Sequence, residues 1–230
     1  VVVVWYMRKK REFLRQRFFQ QINRVRMENL RSRISPHFTF NVLGREINQF
    51  NGSEEVKHNL MELVKYLRRS LELTEKLSVS LQDELDFVRT YIELERGRVG
   101  EDFVATITVE DGLDATRIMI PSMIVQIPVE NAIKHGLAGK DGKKELMVYV
   151  SRETNGIRIT VTDNGRGYLP QVVSATRGTG TGLKVLYQTI QLLNTKNKSD
   201  KIRFNITNRS DGQTGTEVSV YIPFRFSYDL

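Results

Sequence analysis

The sequence contains no cysteine. Disulfides, thiolate metal sites and cysteine nucleophiles are therefore excluded, and the absence fits a reducing compartment. No proline precedes Pro36, so nothing interrupts a helical reading of the first stretch. The apolar opening, residues 1–7, is too short to span a bilayer, which takes roughly 20 residues. Internal repeats and low-complexity tracts are also missing. The remainder is ordinary: 40% apolar and 27% charged residues are usual for a globular protein. A chain of 230 residues can form one large domain or two modest ones, each with a core.

The formal charge of +8 is concentrated at one end, because residues 1–50 hold 11 Lys/Arg against 3 Asp/Glu. Residues 51–230 hold 24 of each sign, so the chain is a neutral body with a basic head. A nucleic-acid binder using the basic side chains between Arg8 and Arg33 is one reading of that head; the neutral body and the apolar start argue against it. Trp5 and Tyr6 followed by Arg8, Lys9, Lys10 and Arg11 match the cytoplasmic exit of a transmembrane helix, whose last residues would be 1–7. The alternative is a buried strand followed by a basic helix.

From Arg8 to about Phe50 the pattern is helical, with Phe18, Ile22, Val25 and Leu30 at helical intervals. Asn51, Gly52 and Ser53 form a turn signal, and a second helix follows with Leu60, Leu63, Val64, Leu67 and Leu71 along it. Two helices bury one stripe each, so a pair of such hairpins, a homodimeric four-helix bundle, is the natural solution. Ser80 with Asp83 reads as the cap of a third helix, which carries Leu85, Val88, Ile92 and Leu94 to about Arg98, where Gly97 and Gly100 end it. Beyond residue 100 the period changes. Residues 103–109, 146–150 and 157–162 read as strands, as do the alternating sets Ile202, Phe204, Ile206 and Val218, Val220, Ile222. Helices are expected over about 121–136 and 182–194. The fold class is α+β, a helical hairpin followed by helices packed on one face of a mixed sheet.

Three segments could carry chemistry. In Ser35-Pro36-His37-Phe38-Thr39-Phe40-Asn41, Pro36 bends a helix just before His37, and Asn41 lies one turn beyond on the same face. A neutral imidazole there is a competent nucleophile towards phosphorus, although a lone histidine in a helix is more often structural. In the stretch from Gln126 to Gly136, Asn131, Lys134 and His135 stand at i, i+3 and i+4. An amide oxygen can ligate Mg²⁺, and a lysine and a histidine can meet phosphate oxygens; Glu130 and Lys134 could equally form a plain ion pair on an exposed helix face. The third segment pairs Asp163-Asn164-Gly165-Arg166-Gly167 with Gly178-Thr179-Gly180-Thr181-Gly182-Leu183. Asp163 can accept a hydrogen bond from a base amino group, and the second glycine cluster opens a helix whose amides and positive end suit phosphate. Either cluster alone could simply make turns.

Taken in order, these segments resemble the LytS-type family of sensor histidine kinases, whose ATP-binding domain is of the GHKL type. The likeness runs from about residue 28 to 223. Ile34-Ser35-Pro36-His37-Phe38 with Asn41 is similar to the family's phosphoacceptor box, and Gln126 with residues 129–136 to its N box. Asp163, Gly165 and Gly167 resemble the first glycine box; Gly178, Gly180, Gly182 and Leu183 resemble the second. Residues 81–98, with Glu84, Tyr91, Glu95 and Arg98, look like the connecting helix. Arg33 stands where the family commonly has Gln, Gly44 where it commonly has Asn, and the proline of the N box is shifted to Pro128. That shift implies a helix that kinks or begins differently.

The resemblance implies the end of a transmembrane helix at 1–7, a dimerisation and phosphotransfer helical domain at 8–80 and an ATP-binding catalytic domain at 81–230. It implies that ATP with Mg²⁺ binds under a lid of roughly residues 168–182, with Asp163 on the adenine amino group, Asn131 on Mg²⁺ and Lys134 or His135 on phosphate. His37 would be phosphorylated, and the phosphoryl group would pass to an aspartate of a response regulator. Because Phe38 rather than an acid follows His37, a carboxylate must come from elsewhere, and Glu130 is taken as that polar assistant. Ile127 occupies the place of the water-activating glutamate of gyrase-like ATPases, which fits transfer to histidine rather than to water. The implied partners are a second copy of the chain, a response regulator and the inner membrane, with this part of the chain on the cytoplasmic side and no nucleic acid involved. The alternative is a non-catalytic GHKL module that binds nucleotide as a dimeric scaffold.

Overall fold

The computed structural model describes residues 9–10, 53–168, 181–197 and 200–228. His37, Asn41, the apolar start, Gly178 and Gly180 fall outside these residues, as does most of the expected lid.

Helix α1 (Glu54–Glu75) begins where the Ser53 hydroxyl accepts the Val56 amide at 3.4 Å, the expected cap behind the Asn51-Gly52 turn. Its last turns are seated on the elements that follow. Leu73 is fully buried, Tyr66 stacks on Phe87 with ring centroids 4.8 Å apart, and Arg69 reaches Asp83 at 2.9 Å. Strand β1 (Ser78–Ser80) leads directly into helix α2 (Leu81–Val99). Ser80 caps α2 twice over: its Oγ accepts the Asp83 amide at 3.0 Å and donates to the Asp83 carboxylate at 2.8 Å. Gly100, at φ 111°, closes the helix as its sequence position suggested.

The strands are β2 (Phe103–Val109), β3 (Met119–Pro121), β4 (Lys144–Glu153), β5 (Gly156–Asp163), β6 (Arg203–Asn208) and β7 (Thr216–Pro223). Five of them form one sheet in the order β2-β4-β5-β7-β6, in which β2 and β4 are parallel and the other neighbours antiparallel. The short strands β1 and β3 pair with each other, Val79 opposite Ile120. Alternation sets the faces: β4 buries Leu146, Val148 and Val150 while Met147 and Tyr149 remain exposed. Ile157, Ile159 and Val161 of β5 and Val218, Val220 and Ile222 of β7 join the same core. Leu85, Val88 and Ile92 of α2 and Leu186, Ile190 and Leu193 of helix α4 (Thr181–Lys196) cover it. The result is the expected α+β architecture, a mixed sheet carrying its helices on one face.

The helix expected over about 121–136 is much shorter. Residues 119–121 are β3, a turn occupies 122–125, and helix α3 (Gln126–Asn131) passes into a π-helical turn (Ala132–Gly136). The reason is a buried acid from another helix. Glu84 of α2 is fully buried and accepts the amides of Met123, Val125 and Gln126 at 2.8, 3.0 and 3.2 Å. Those amides are the ones a longer helix would have tied to its own carbonyls. Met123 sits at φ 69°, a left-handed conformation that costs roughly 1–2 kcal/mol for a side-chain-bearing residue, and the Glu84 bond holds it there. Pro128 then falls in the first turn of α3, where a missing amide does no harm.

Candidate nucleotide site

The strand β5 ends on Asp163, which is 3% exposed. Its Oδ1 accepts the Gly165 amide at 2.8 Å and the Thr216 amide at 3.3 Å. Burial pushes this carboxyl above its ordinary pKa; the two amides and the nearby Arg209 guanidinium only partly offset that. Asn164 ties the turn to β4, its Oδ1 accepting the Glu145 amide at 2.8 Å and its Nδ2 donating to the Lys143 carbonyl at 3.0 Å.

The glycines explain how two distant motifs meet. A Cβ on Gly165 would lie 2.1 Å from the Gly136 carbonyl oxygen, and one on Gly136 would lie 2.9 Å from the Asp163 carboxylate. The end of the π-helical turn is therefore pressed against the strand end, a contact that only glycine permits on both sides. Arg166 fastens it, donating from its backbone to the Gly136 carbonyl at 3.3 Å and from Nε to the His135 carbonyl at 2.8 Å. Behind Asp163, a Cβ on Gly215 would come within 1.9 Å of the Asp163 carbonyl oxygen. Gly167 lies beside Asn208, whose amide brackets Tyr168: Oδ1 accepts the Tyr168 amide at 2.6 Å and Nδ2 donates to its carbonyl at 3.3 Å.

On α3 the Asn131 Nδ2 donates to the Ile127 carbonyl at 2.9 Å, which turns the oxygen end of the amide away from the helix. Lys134 and Glu130 form the ion pair that their spacing allowed. His135 is half-buried and held below its ordinary pKa of 6.5, chiefly by burial and then by Lys134 and Arg166. At neutral pH it is a neutral imidazole, able to hydrogen-bond but carrying no charge. Ile127 packs towards the start of α4, its Cγ2 standing 3.4 Å from where a Gly182 Cβ would be. Leu183 is half-buried on the same helix.

Asn131, Lys134, His135, Asp163, Gly165 and Gly167 are thus brought to one corner, with Gly182 and Leu183 at the start of the helix beside it. Four contributors escaped the sequence reading in these roles: Glu84, Arg166, Asn208 and Thr216. Arg166 occupies a variable place inside its motif and gave no signal. Glu84 did give one, as an acid set among Leu81, Leu85 and Val88 on the buried side of α2.

Residues 25–103 match the histidine kinase family, and residues 116–225 match the family described as histidine kinase-, DNA gyrase B-, and HSP90-like ATPase. The chain belongs to the LytS-type sensor histidine kinases. It is 32% identical over 197 residues to the sensor histidine kinase/phosphatase LytS of Staphylococcus aureus (strain MRSA252), covering 82% of this chain and 33% of that protein. Against the sensor histidine kinase YpdA of Escherichia coli (strain K12) it is 28% identical over 205 residues, covering 89% and 35%. The chain thus spans about a third of the length of the curated relatives it matches. A solved structure, the histidine kinase domain of the blue-light activated histidine kinase from Erythrobacter litoralis EL346, is similar at a TM-score of 0.49 and 16% identity, covering 90% of this chain and 94% of that one.

Proposed function

We propose that the chain is the ATP-dependent catalytic portion of a two-component sensor kinase, which phosphorylates its own His37 and passes the phosphoryl group to an aspartate of a response regulator. The observation that carries this is the contact between the π-helical turn and the end of β5. It gathers a buried carboxylate, an amide oxygen and a lysine into one corner beside the start of α4.

Asp163 accepts the adenine amino group of ATP, and the start of α4 offers the phosphates its positive end. Lys134, rather than the neutral His135, supplies positive charge there. The donor set suits Mg²⁺ brought in with the nucleotide: Asn131 offers one neutral oxygen, and among the described residues no group of three or more His, Asp or Glu could hold a metal by itself. Mg²⁺ bound at Asn131 would shield the phosphate charge. In the transfer, a ring nitrogen of His37 forms a bond to the γ-phosphorus as the bond to the ADP oxygen breaks, and the proton on the other ring nitrogen is lost to solvent or a nearby acceptor. Glu130 is a polar assistant in that corner. Catalysis is positioning and charge neutralisation; Ile127, packed towards α4, cannot activate water.

In this reading residues 8–80 pair with a second copy and present His37, and residues 81–230 bind nucleotide. Residues 1–7 end a membrane-spanning helix that holds this portion at the cytoplasmic face of the inner membrane. Among the described residues no helix is long and apolar enough to cross a membrane. The test is His37→Gln in the full chain with labelled ATP: phosphate incorporation should vanish while ATP still binds. Label at the wild-type level would refute the assignment, and exposed His58 on α1 would be examined next.

A further inference from the structure

Tyr91 of α2 is 4% exposed. Its hydroxyl and the Oε1 of Gln126 are the two buried side-chain atoms among the described residues that lack a hydrogen-bond partner. A phenol hidden from water without an acceptor is unfavourable, so another state of the protein should give it one.

The packing places it beside α3. Glu84 binds the amides that begin α3, and Tyr91 lies two turns further along the same face of α2. Gln126 donates to the Tyr66 hydroxyl at 3.0 Å, and the Tyr66 ring lies 5.7 Å from that of Tyr91. Glu130 is one turn beyond Gln126 on that side of α3. The carboxylates of Glu95 and Glu130 are the two whose charge most opposes ionisation of the phenol, after burial itself. Both are engaged with cations here, Glu95 with Arg98 at 2.5 Å and Glu130 with Lys134.

We propose that Tyr91 is a positioning residue of the nucleotide site: when ATP phosphates draw Lys134 off Glu130, the Tyr91 hydroxyl donates to the Glu130 carboxylate in its place. The inference rests on the assignment of Lys134 to phosphate. It makes the departure of Lys134 less costly, and it keeps Glu130 fixed while the lysine is occupied elsewhere. An apparent packing defect of the free protein becomes a stored partner for the bound one.

Tyr91→Phe and Lys134→Met in the full chain separate the two claims. ATP affinity is read by calorimetric titration with Mg²⁺, and stability by thermal unfolding without nucleotide. Tyr91→Phe should leave the free protein at least as stable as wild type, because it removes an unpartnered hydroxyl, yet weaken ATP binding roughly fivefold to tenfold. In a Lys134→Met background the phenol already holds Glu130, so adding Tyr91→Phe should lower the unfolding temperature of the free protein. Wild-type ATP affinity in Tyr91→Phe, with Lys134→Met impaired, overturns the inference alone. A destabilised free Tyr91→Phe protein with unchanged ATP affinity also overturns it, since the phenol would then have a permanent partner such as a water shared with Gln126. If Lys134→Met binds ATP like wild type, the lysine assignment fails and takes the inference with it.

Discussion

The Asp163 carboxyl is enclosed at the end of β5, and burial raises its pKa from 3.8. A raised carboxylate pKa means that the folded protein takes up this proton before the unfolded chain does. Stability from this group is therefore greatest at acid pH and falls as pH rises from 3.8 through the folded value. At neutral pH the ionised side chain costs stability, and an adenine amino group is the donor that would repay it. Asp163→Asn keeps an oxygen for the Gly165 and Thr216 amides but presents a mixed amide to the base. The variant should unfold at a higher temperature than wild type without nucleotide, about 2–4 °C for each kcal/mol recovered. It should bind ATP roughly tenfold to hundredfold more weakly. The stability gap between the two proteins should close as pH is lowered towards 3.8, because folded wild type takes up its proton above that pH. Thermal scans across pH and ATP titration check both parts; a variant less stable than wild type at neutral pH would contradict the account of the burial. Asp163 itself was legible as a candidate, because an acid after an alternating strand and before Asn-Gly has few other uses. Its burial was not, since that depends on Gly136 and Gly215, which lie 27 residues before it and 52 after it.

Among the elements, α3 depends most on its neighbours. Six residues are too few for a stable helix, and no side chain of its own caps it. Glu84 supplies the cap from α2, through three backbone amides. Glu84→Ala should therefore lower stability by about 2–4 kcal/mol. ATP affinity should fall further than that loss explains, since Asn131 rides on the element released and Lys134 on the π-helical turn that continues it. Urea unfolding and calorimetry separate the two effects, and an Ala variant as stable as wild type would mean the cap is dispensable. This arrangement also explains where the sequence was readable. Strands β2, β5 and β7 announced themselves because one face is apolar and turned to the core while the other is largely polar, so their periods survive in the residue pattern. The extent of α3 did not, because residues 121–125 are apolar enough to read as helix and are diverted by a carboxylate some forty residues earlier. Strands β1 and β3, three residues each, are too short to carry a period.

Across the whole molecule, α1 has two faces. Tyr66 and Leu73 share one, turned to the rest of the structure. Leu60, Leu63, Val64, Leu67 and Leu71 lie roughly 120° round from it, at about 100° per residue. Leu63 is 40% exposed and its neighbours in the stripe are half-buried. The homodimer proposed above would cover this stripe. Leu63→Glu with Leu67→Glu should weaken the dimer at least a hundredfold, by burying charge against an apolar partner, and should reduce autophosphorylation in parallel. Sedimentation of the full chain reads the first and labelled ATP the second; a monomeric wild-type chain with full activity would dismiss the bundle. The boundary expected between residues 80 and 81 falls inside a set of contacts: β1 pairs with β3, Leu73 is buried, and the Ser122 hydroxyl donates to the Leu73 carbonyl at 2.5 Å. A splice at residue 81 between this chain and a relative would pair Ser122 and Gln126 with a foreign helix end. A splice upstream of Tyr66 would carry the whole set across intact. Exchange of sensory inputs among such proteins, in the laboratory or over evolutionary time, should therefore leave the tail of α1 travelling with the nucleotide half.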